Sequence, residues 1–379
     1  MRILIFTSLL LLCFSCKKEK PTEIQQPNFK YYDFFSSSLR ATAVISSRTF
    51  YHFGYSTNGQ NGALLVQNIE TGTSEIVPFM LNSMNLSSQA VATLNYKVYV
   101  AVNSTYTGTN KYDPILMIFN DVGELQNTIQ YFDTKSEVVQ DIIVTKDDNL
   151  LIFSIDGDNP TNVILRKCDS NGNEIWVKYI ETSYYSYNSR IIELNDGTFA
   201  FAANASTGKT LVITKLYPYN NSSYAQFFTF SPNLNQIKFI CKNSDGTLTL
   251  ASAVNQKLWM AKIDLASGET VWEKLLGLDN VSLNCSAITN LKDGTYAVTG
   301  ACFGSNTRNQ DVFYAHIGEQ GEALQYKVFG GVGSDFPQHI THIGNNELYI
   351  SGEYTGTNIF NNGRALFNVR LKADGTFLP

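Results

Sequence analysis

From about residue 29 to the C-terminus, short apolar runs alternate with polar clusters rich in turn formers. The clusters recur. Asp196-Gly197-Thr198-Phe199, Asp245-Gly246-Thr247-Leu248 and Asp293-Gly294-Thr295-Tyr296 share one pattern, and Asn95-Tyr96, Asp148-Asn149-Leu150 and Asn345-Asn346 fill the same slot in degenerate form. Steps between these anchors are 53, 48, 49, 48 and 52 residues. Asp-Gly between apolar runs is a strong short-range hairpin signal. A second anchor follows about 24 residues later, a glycine turn at Gly72, Gly123, Gly172, Gly268, Gly321 and Gly375, with Asn220-Asn221 in its place in the fourth unit. Asparagine tolerates the left-handed backbone that glycine supplies there. Each unit reads as four short strands. In the fifth they are predicted over Ile237–Lys242, Thr247–Val254, Leu258–Asp264 and Thr270–Leu276. Both faces of these strands are apolar, as expected of a sheet held between neighbouring sheets.

Removing the first 28 of 379 residues leaves about 50 per unit for seven units. Repeats of this length and strand content predict an all-β, seven-bladed β-propeller of four-stranded antiparallel blades over residues 29–379. The last unit stops at Pro379, shortly after its glycine turn, whereas the strand-like segment Phe29–Phe35 belongs to no unit. The expectation is a ring closed by this N-terminal strand, which removes exposed sheet edges.

Ala261–Gly277, with Asp264-Leu265-Ala266-Ser267-Gly268-Glu269-Thr270-Val271-Trp272 at its centre, resembles the blade motif of quinoprotein-like propellers, in which a Trp docks onto the next blade. Asp169-Ser170-Asn171-Gly172-Asn173-Glu174-Ile175-Trp176 repeats it, but Gln325 and Asn127 replace the Trp elsewhere. Dehydrogenases of that family bind pyrroloquinoline quinone and calcium through further residues that have no recognisable match here. The resemblance implies architecture and transfers no activity; no cofactor is expected.

The N-terminus carries an address. Arg2 precedes an apolar run from Ile3 to Phe14, then Ser15, Cys16 and the charged Lys17-Lys18-Glu19-Lys20. The run is too short to span a membrane as a helix and reads as a secretion signal. It resembles a bacterial lipoprotein signal, with residues 1–15 removed, Cys16 lipidated (palmitate among its acyl chains), and 16–28 a flexible tether. That resemblance implies attachment to the outer membrane, with the periplasmic or external side left open. The other reading is an ordinary cleaved signal with an incidental cysteine.

Composition narrows the choice of function. Lys and Arg number 28 against 33 Asp and Glu, a net charge of −5, so nothing favours a phosphate backbone and no nucleic-acid partner is expected. In a propeller the Asp-Gly and Gly turns share one face, and the longer loops 103–113, 303–311 and 354–364 share the other. The loop face presents Tyr106, Lys111, Tyr112, Phe303, Arg308, Tyr354, Phe360 and Arg364 as partner-binding candidates, because aromatic and Arg side chains suit protein interfaces and ring stacking suits glycans. Self-packing loops are the plain alternative. Tyr184, Tyr185 and Tyr187 form a second, weaker patch.

Catalytic and metal patterns are thin. His339 and His342 are three apart on a predicted strand and point to opposite faces. Lys167, Lys215, Lys262, His316 and Arg370 share one repeat slot, read as separate salt bridges in preference to a cationic ring. Asp156-Gly157-Asp158-Asn159 lacks the ligand count of a calcium loop and reads as a solvated turn. No metal is expected. Cys285 and Cys302 flank the Asp293-Gly294 hairpin and are a possible disulfide, with four free thiols as the alternative. The reading is a non-catalytic protein-interaction or scaffold module on the outer membrane, perched beside a membrane-protein partner in an assembly or uptake complex. Surface glycan binding and a carbohydrate-active enzyme at the channel mouth are the alternatives.

Overall fold

The computed structural model describes residues 30–32, 39–46, 49–55, 61–68, 73–80, 84–106, 111–182, 190–204, 210–230, 239–304, 309–331, 333–344, 346–356 and 364–378. All regular structure among them is β-strand. Lys30–Tyr32 is β1. Leu39–Ser46, Thr49–Tyr55, Asn61–Asn68 and Ser74–Met80 (β2–β5) form a first four-stranded sheet, and Met84–Leu94, Lys97–Tyr106, Tyr112–Phe119 and Leu125–Gln130 (β6–β9) a second. The third is Glu137–Val144, Leu150–Asp156, Asn162–Cys168 and Glu174–Glu181 (β10–β13); the fourth is Ile191–Glu193, Phe199–Asn204, Thr210–Tyr217 and Ser222–Thr229 (β14–β17). The fifth is Phe239–Lys242, Leu248–Val254, Lys257–Asp264 and Glu269–Leu276 (β18–β21), and the sixth Val281–Asn290, Tyr296–Gly304, Asp311–Ile317 and Ala323–Phe329 (β22–β25). Ser334–Gly344, Glu347–Thr355 and Arg364–Lys372 (β26–β28) pair in turn, and β1 completes their sheet along β28, with Tyr31 opposite Phe367.

The seven-bladed expectation is corrected at this point. Six four-stranded blades are continuous in the chain, and the remaining four-stranded sheet is a composite of both ends, three C-terminal strands plus β1. The physical reason is the one that the strand-like segment near residue 30 suggests, since β28 would otherwise present an open edge.

First strands sit side by side, β2 on β6, β6 on β10, β10 on β14, β14 on β18, β18 on β22, β22 on β26, and β26 back on β2. This closed ring of stacked sheets is a β-propeller. Its core lies between sheets. One cluster joins Leu194, Ile213 and Phe228 of the fourth blade to Leu248, Leu250 and Trp259 of the fifth; another joins Tyr99 and Leu116 of the second to Ile142 and Ile152 of the third. A middle strand such as β11 is buried at every position, whereas the outer strand β9 is mostly exposed. Apolar residues on both faces of a strand thus reflect burial between two neighbours, and no blade covers itself.

Both anchors are turns. Gly197, Gly246 and Gly294 take positive φ in the Asp-Gly-Thr hairpins, and each preceding Asp accepts a hydrogen bond from the Thr backbone N–H two residues on, as at Thr247 N to Asp245 Oδ1, 2.9 Å. Asn221 has φ 53° where the other blades use Gly, as expected of a residue that tolerates the left-handed region. Gly72 lies outside the described residues. Glycine serves differently at Gly300 and Gly352, opposite bulges in the innermost strands β22 and β26. A Cβ at Gly300 would stand 2.0 Å from the Asn284 carbonyl oxygen, and one at Gly352 2.2 Å from that of Phe336.

The Trp docking implied by the blade motif is present at Trp272, whose indole N–H donates to the Glu319 carbonyl of the sixth blade at 3.0 Å and whose ring meets Tyr296 edge-on. Trp176 is only half-buried.

Candidate binding face and channel

The turn face is tied down by one repeated contact. Lys167 pairs with Asp147 at 2.6 Å, Lys215 with Asp196 at 2.6 Å, Lys262 with Asp245 at 2.9 Å and Arg370 with Glu347 at 2.8 Å, while His316 Nε2 meets Thr295 Oγ1 at 2.9 Å. Each third-strand side chain reaches the hairpin of its own sheet. The row is a set of separate local ties.

The opposite face holds the longer loops. There Tyr112 and Phe303 are exposed, 38% and 43%, and Phe132, which leads from the second blade to the third, is 71% exposed. Lys111 is engaged within the fold, with its ammonium 3.2 Å from Asp113 Oδ1 and on the Asp133 carbonyl. Tyr354 is not a surface residue. It belongs to β27 and is 1% exposed, because the strand runs two residues further into the predicted loop than its polarity suggests. Tyr106 and Arg364 are end residues of β7 and β28, opposite Met84 and Thr355. Arg308, Phe360, Cys16 and Tyr184, Tyr185 and Tyr187 lie outside the described residues.

Cys285 and Cys302 are buried thiols with no disulfide between them. The bulge between Cys285 and Ala287 leaves Cys285 opposite Gly300 and Cys302 opposite Leu283, two residues out of step, so the possible disulfide is not formed. Asp156 also resolves: it pairs with Lys135 at 2.9 Å and accepts from the Asp158 N–H at 3.0 Å, the turn that the sequence suggested. Among the described residues no three His, Cys, Asp or Glu side chains gather as a metal centre.

A buried charge cluster at the seam between the second and third blades is the feature that sequence reasoning missed. Arg166, 3% exposed, lies 2.5 Å from Glu137, 3.6 Å from Asp133 and on Glu174, with its guanidinium 4.8 Å from the Tyr131 ring centre. Tyr179 donates to Asp133. Glu137 is wholly buried, and desolvation pushes its carboxyl up to about 7, with Arg166 opposing and Asp133 and Asp113 adding to the rise. A signal was available: the residues before Lys215, Lys262, His316 and Arg370 are Thr214, Ala261, Ala315 and Val369, so Arg166 is the odd charge in a buried column.

The sign of the pH effect follows. The folded state holds a proton on Glu137 up to about pH 7, whereas an unfolded glutamate releases it near the ordinary 4.5. Stability contributed by that proton is complete below about 4.5 and is lost as pH rises to about 7. Urea midpoints of the wild type should fall across this window, and Glu137→Gln should show a smaller fall; equal slopes would contradict the assignment.

A cavity of about 300 Å³ runs along the ring axis, lined by first-strand residues of the second to sixth blades and the composite sheet, including Val91, Ile142, Ile191, Ile240, Ile288 and Ile340. Arg190, which enters from the loop face just before β14, pairs with Asp141 at 2.8 Å inside it, and Asp141 also accepts from Ile191 N at 3.0 Å. Gln338 and His339 add polar groups. Apolar walls with a few fixed polar groups suit the seating of a side chain or a small ligand.

No protein-family profile and no curated protein matches the chain by sequence. Solved structures do match in shape. YCF48 bound to D1 peptide superimposes with TM-score 0.58 and 12% identity, over 91% of this chain and 96% of that one. The Dos1 propeller gives 0.52 and 9%, over 90% and 94%. The periplasmic gluconolactonase PpgL of Pseudomonas aeruginosa gives 0.51 and 10%, over 92% and 96%. The fold is that of the β-propellers. At these identities the likeness extends to fold alone.

Proposed function

We propose that this propeller is a lipid-anchored binding module of the outer membrane, tethered through Cys16, which holds a protein partner on its loop face in place of performing catalysis. The observation that carries the reading is the difference between its two faces. One is made of short hairpins, tied to their own sheet by a third-strand side chain in blades such as the fourth and fifth, with Tyr96 and Tyr219 as exposed rings; the other carries the longer loops, exposes Tyr112, Phe132 and Phe303, and admits Arg190 to the axial cavity. Exposed rings beside fixed charges are the anchors that protein interfaces use. YCF48, a propeller of the same shape, was solved with a peptide bound, which supports a partner segment as the occupant. The apolar run and Cys16 support the anchor.

Affinity capture from detergent-solubilised membranes tests the proposal. The expected result is a membrane protein recovered with the wild type and reduced at least about fivefold by Phe132→Ala/Phe303→Ala, while Cys16→Ser releases the chain from membranes. No loss of capture with the double variant would contradict the loop-face assignment, and retention of Cys16→Ser in the membrane would contradict the anchor.

A further inference from the structure

The Arg166 seam has a sister. At the second-to-third seam the Tyr112 N–H donates to Ser136 Oγ at 3.0 Å, and the acids Asp113 and Glu137 follow directly. Between the sixth blade and the composite sheet the Gln310 N–H meets Ser334 Oγ at 3.4 Å, and Asp311 and Asp335 follow directly. Each acid pair is separated by the same 24 positions, and each second acid lies within the first two residues of the first strand of the following sheet. The two sites are structural repeats of one another.

Their cations differ. At the first seam Lys111 lies against Asp113 and Arg166 against Glu137, with Lys135 beside them on Asp156. The same three positions of the second seam are Asn309, Gly333 and Val369, all uncharged. Val369 is the counterpart of Arg166 because each directly precedes the third-strand cation, Arg370 or Lys167, that ties down the hairpin. Asp335 is 0% exposed, accepts from the Gly331 N–H at 2.7 Å through Oδ2, and leaves Oδ1 with no donor. A glycine runs against Asp311: a Cβ at Gly330 would lie 2.1 Å from Asp311 Oδ1. Among the described residues no cationic side chain pairs with Asp311 or Asp335.

We propose that the Asp311–Asp335 seam binds a divalent cation of the calcium type, standing where the Arg166 guanidinium stands at the sister seam. Two carboxylates match a double positive charge, and hard oxygen donors select calcium or magnesium over softer metals. Asp335 lies too deep for a partner's side chain; an ion is small enough to reach it.

The test uses the full chain in detergent, stripped with EDTA and titrated with CaCl2 by calorimetry and thermal melts. The expected Kd is about 10⁻⁴–10⁻³ M, the range of extracellular calcium modules. Calcium should raise the melting temperature of the wild type, and Asp335→Asn, which keeps the shape of the side chain, should abolish both binding and the rise. Val369→Arg should also abolish calcium binding, while matching the stability of the calcium-loaded wild type without the ion. If calcium leaves the wild type unchanged, and Asp335→Asn instead removes a stability loss seen on raising the pH through 7, the pair holds a proton and the proposal fails. Calcium binding that survives in Asp335→Asn places the ion elsewhere and overturns it equally.

Discussion

Replacing Arg166 with Met should destabilise the protein by about 3–5 kcal/mol, the usual result of removing one partner from a buried ion cluster. The buried guanidinium lies among Glu137, Asp133 and Glu174, so its loss leaves several carboxylates facing one another. Protonation softens such repulsion, and the deficit should therefore be smaller at pH 5 than at pH 8. Adding Glu137→Gln should recover at least half of it. Urea unfolding of the two variants at both pH values is the check; a deficit below about 1 kcal/mol, or one that grows on acidification, would show that the cluster is solvated.

Trp272→Ala should cost about 3–5 kcal/mol, as for a large aromatic truncated in a packed core. Its ring fills the seam between the fifth and sixth blades against Tyr296, and a Cβ at Gly321 would come within 2.9 Å of it. Trp272→Phe should lose about 1–2 kcal/mol, chiefly the bond to the Glu319 carbonyl. Trp176→Ala, at the same repeat position but half-buried, should lose less than half as much as Trp272→Ala. Equal losses at the two tryptophans would mean that the docking at Trp272 contributes little to holding neighbouring blades together.

These cases also show what the sequence could reveal. Turns are local, so Asp-Gly-Thr and the glycine anchors announced the strands; in the fifth blade the last three strands fall within a residue of those expected, and the first ends at Lys242 as expected. The charge cluster is not local: Arg166 and Glu137 are 29 positions apart and meet across two strands. Tyr354 was misplaced because a polar strand end looks like a loop until its partners Asp335 and Ala365 are known. For Cys285 and Cys302 the hairpin count was one residue off register, and a bulge invisible in the composition widened the offset to two. The composite sheet depends on a pairing between opposite ends of the chain, for which only the unassigned strand-like segment near residue 30 gave a hint.

The division of labour between the two faces is tested most directly by site-specific photo-crosslinking in intact membranes, with the probe at Phe303 or Phe132 on the loop face and at Tyr96 or Tyr219 on the hairpin face, all of them exposed. The account predicts a discrete adduct to a membrane protein from the first two positions and none from the second two. Adducts of equal yield from both faces, or from the hairpin face alone, would contradict it.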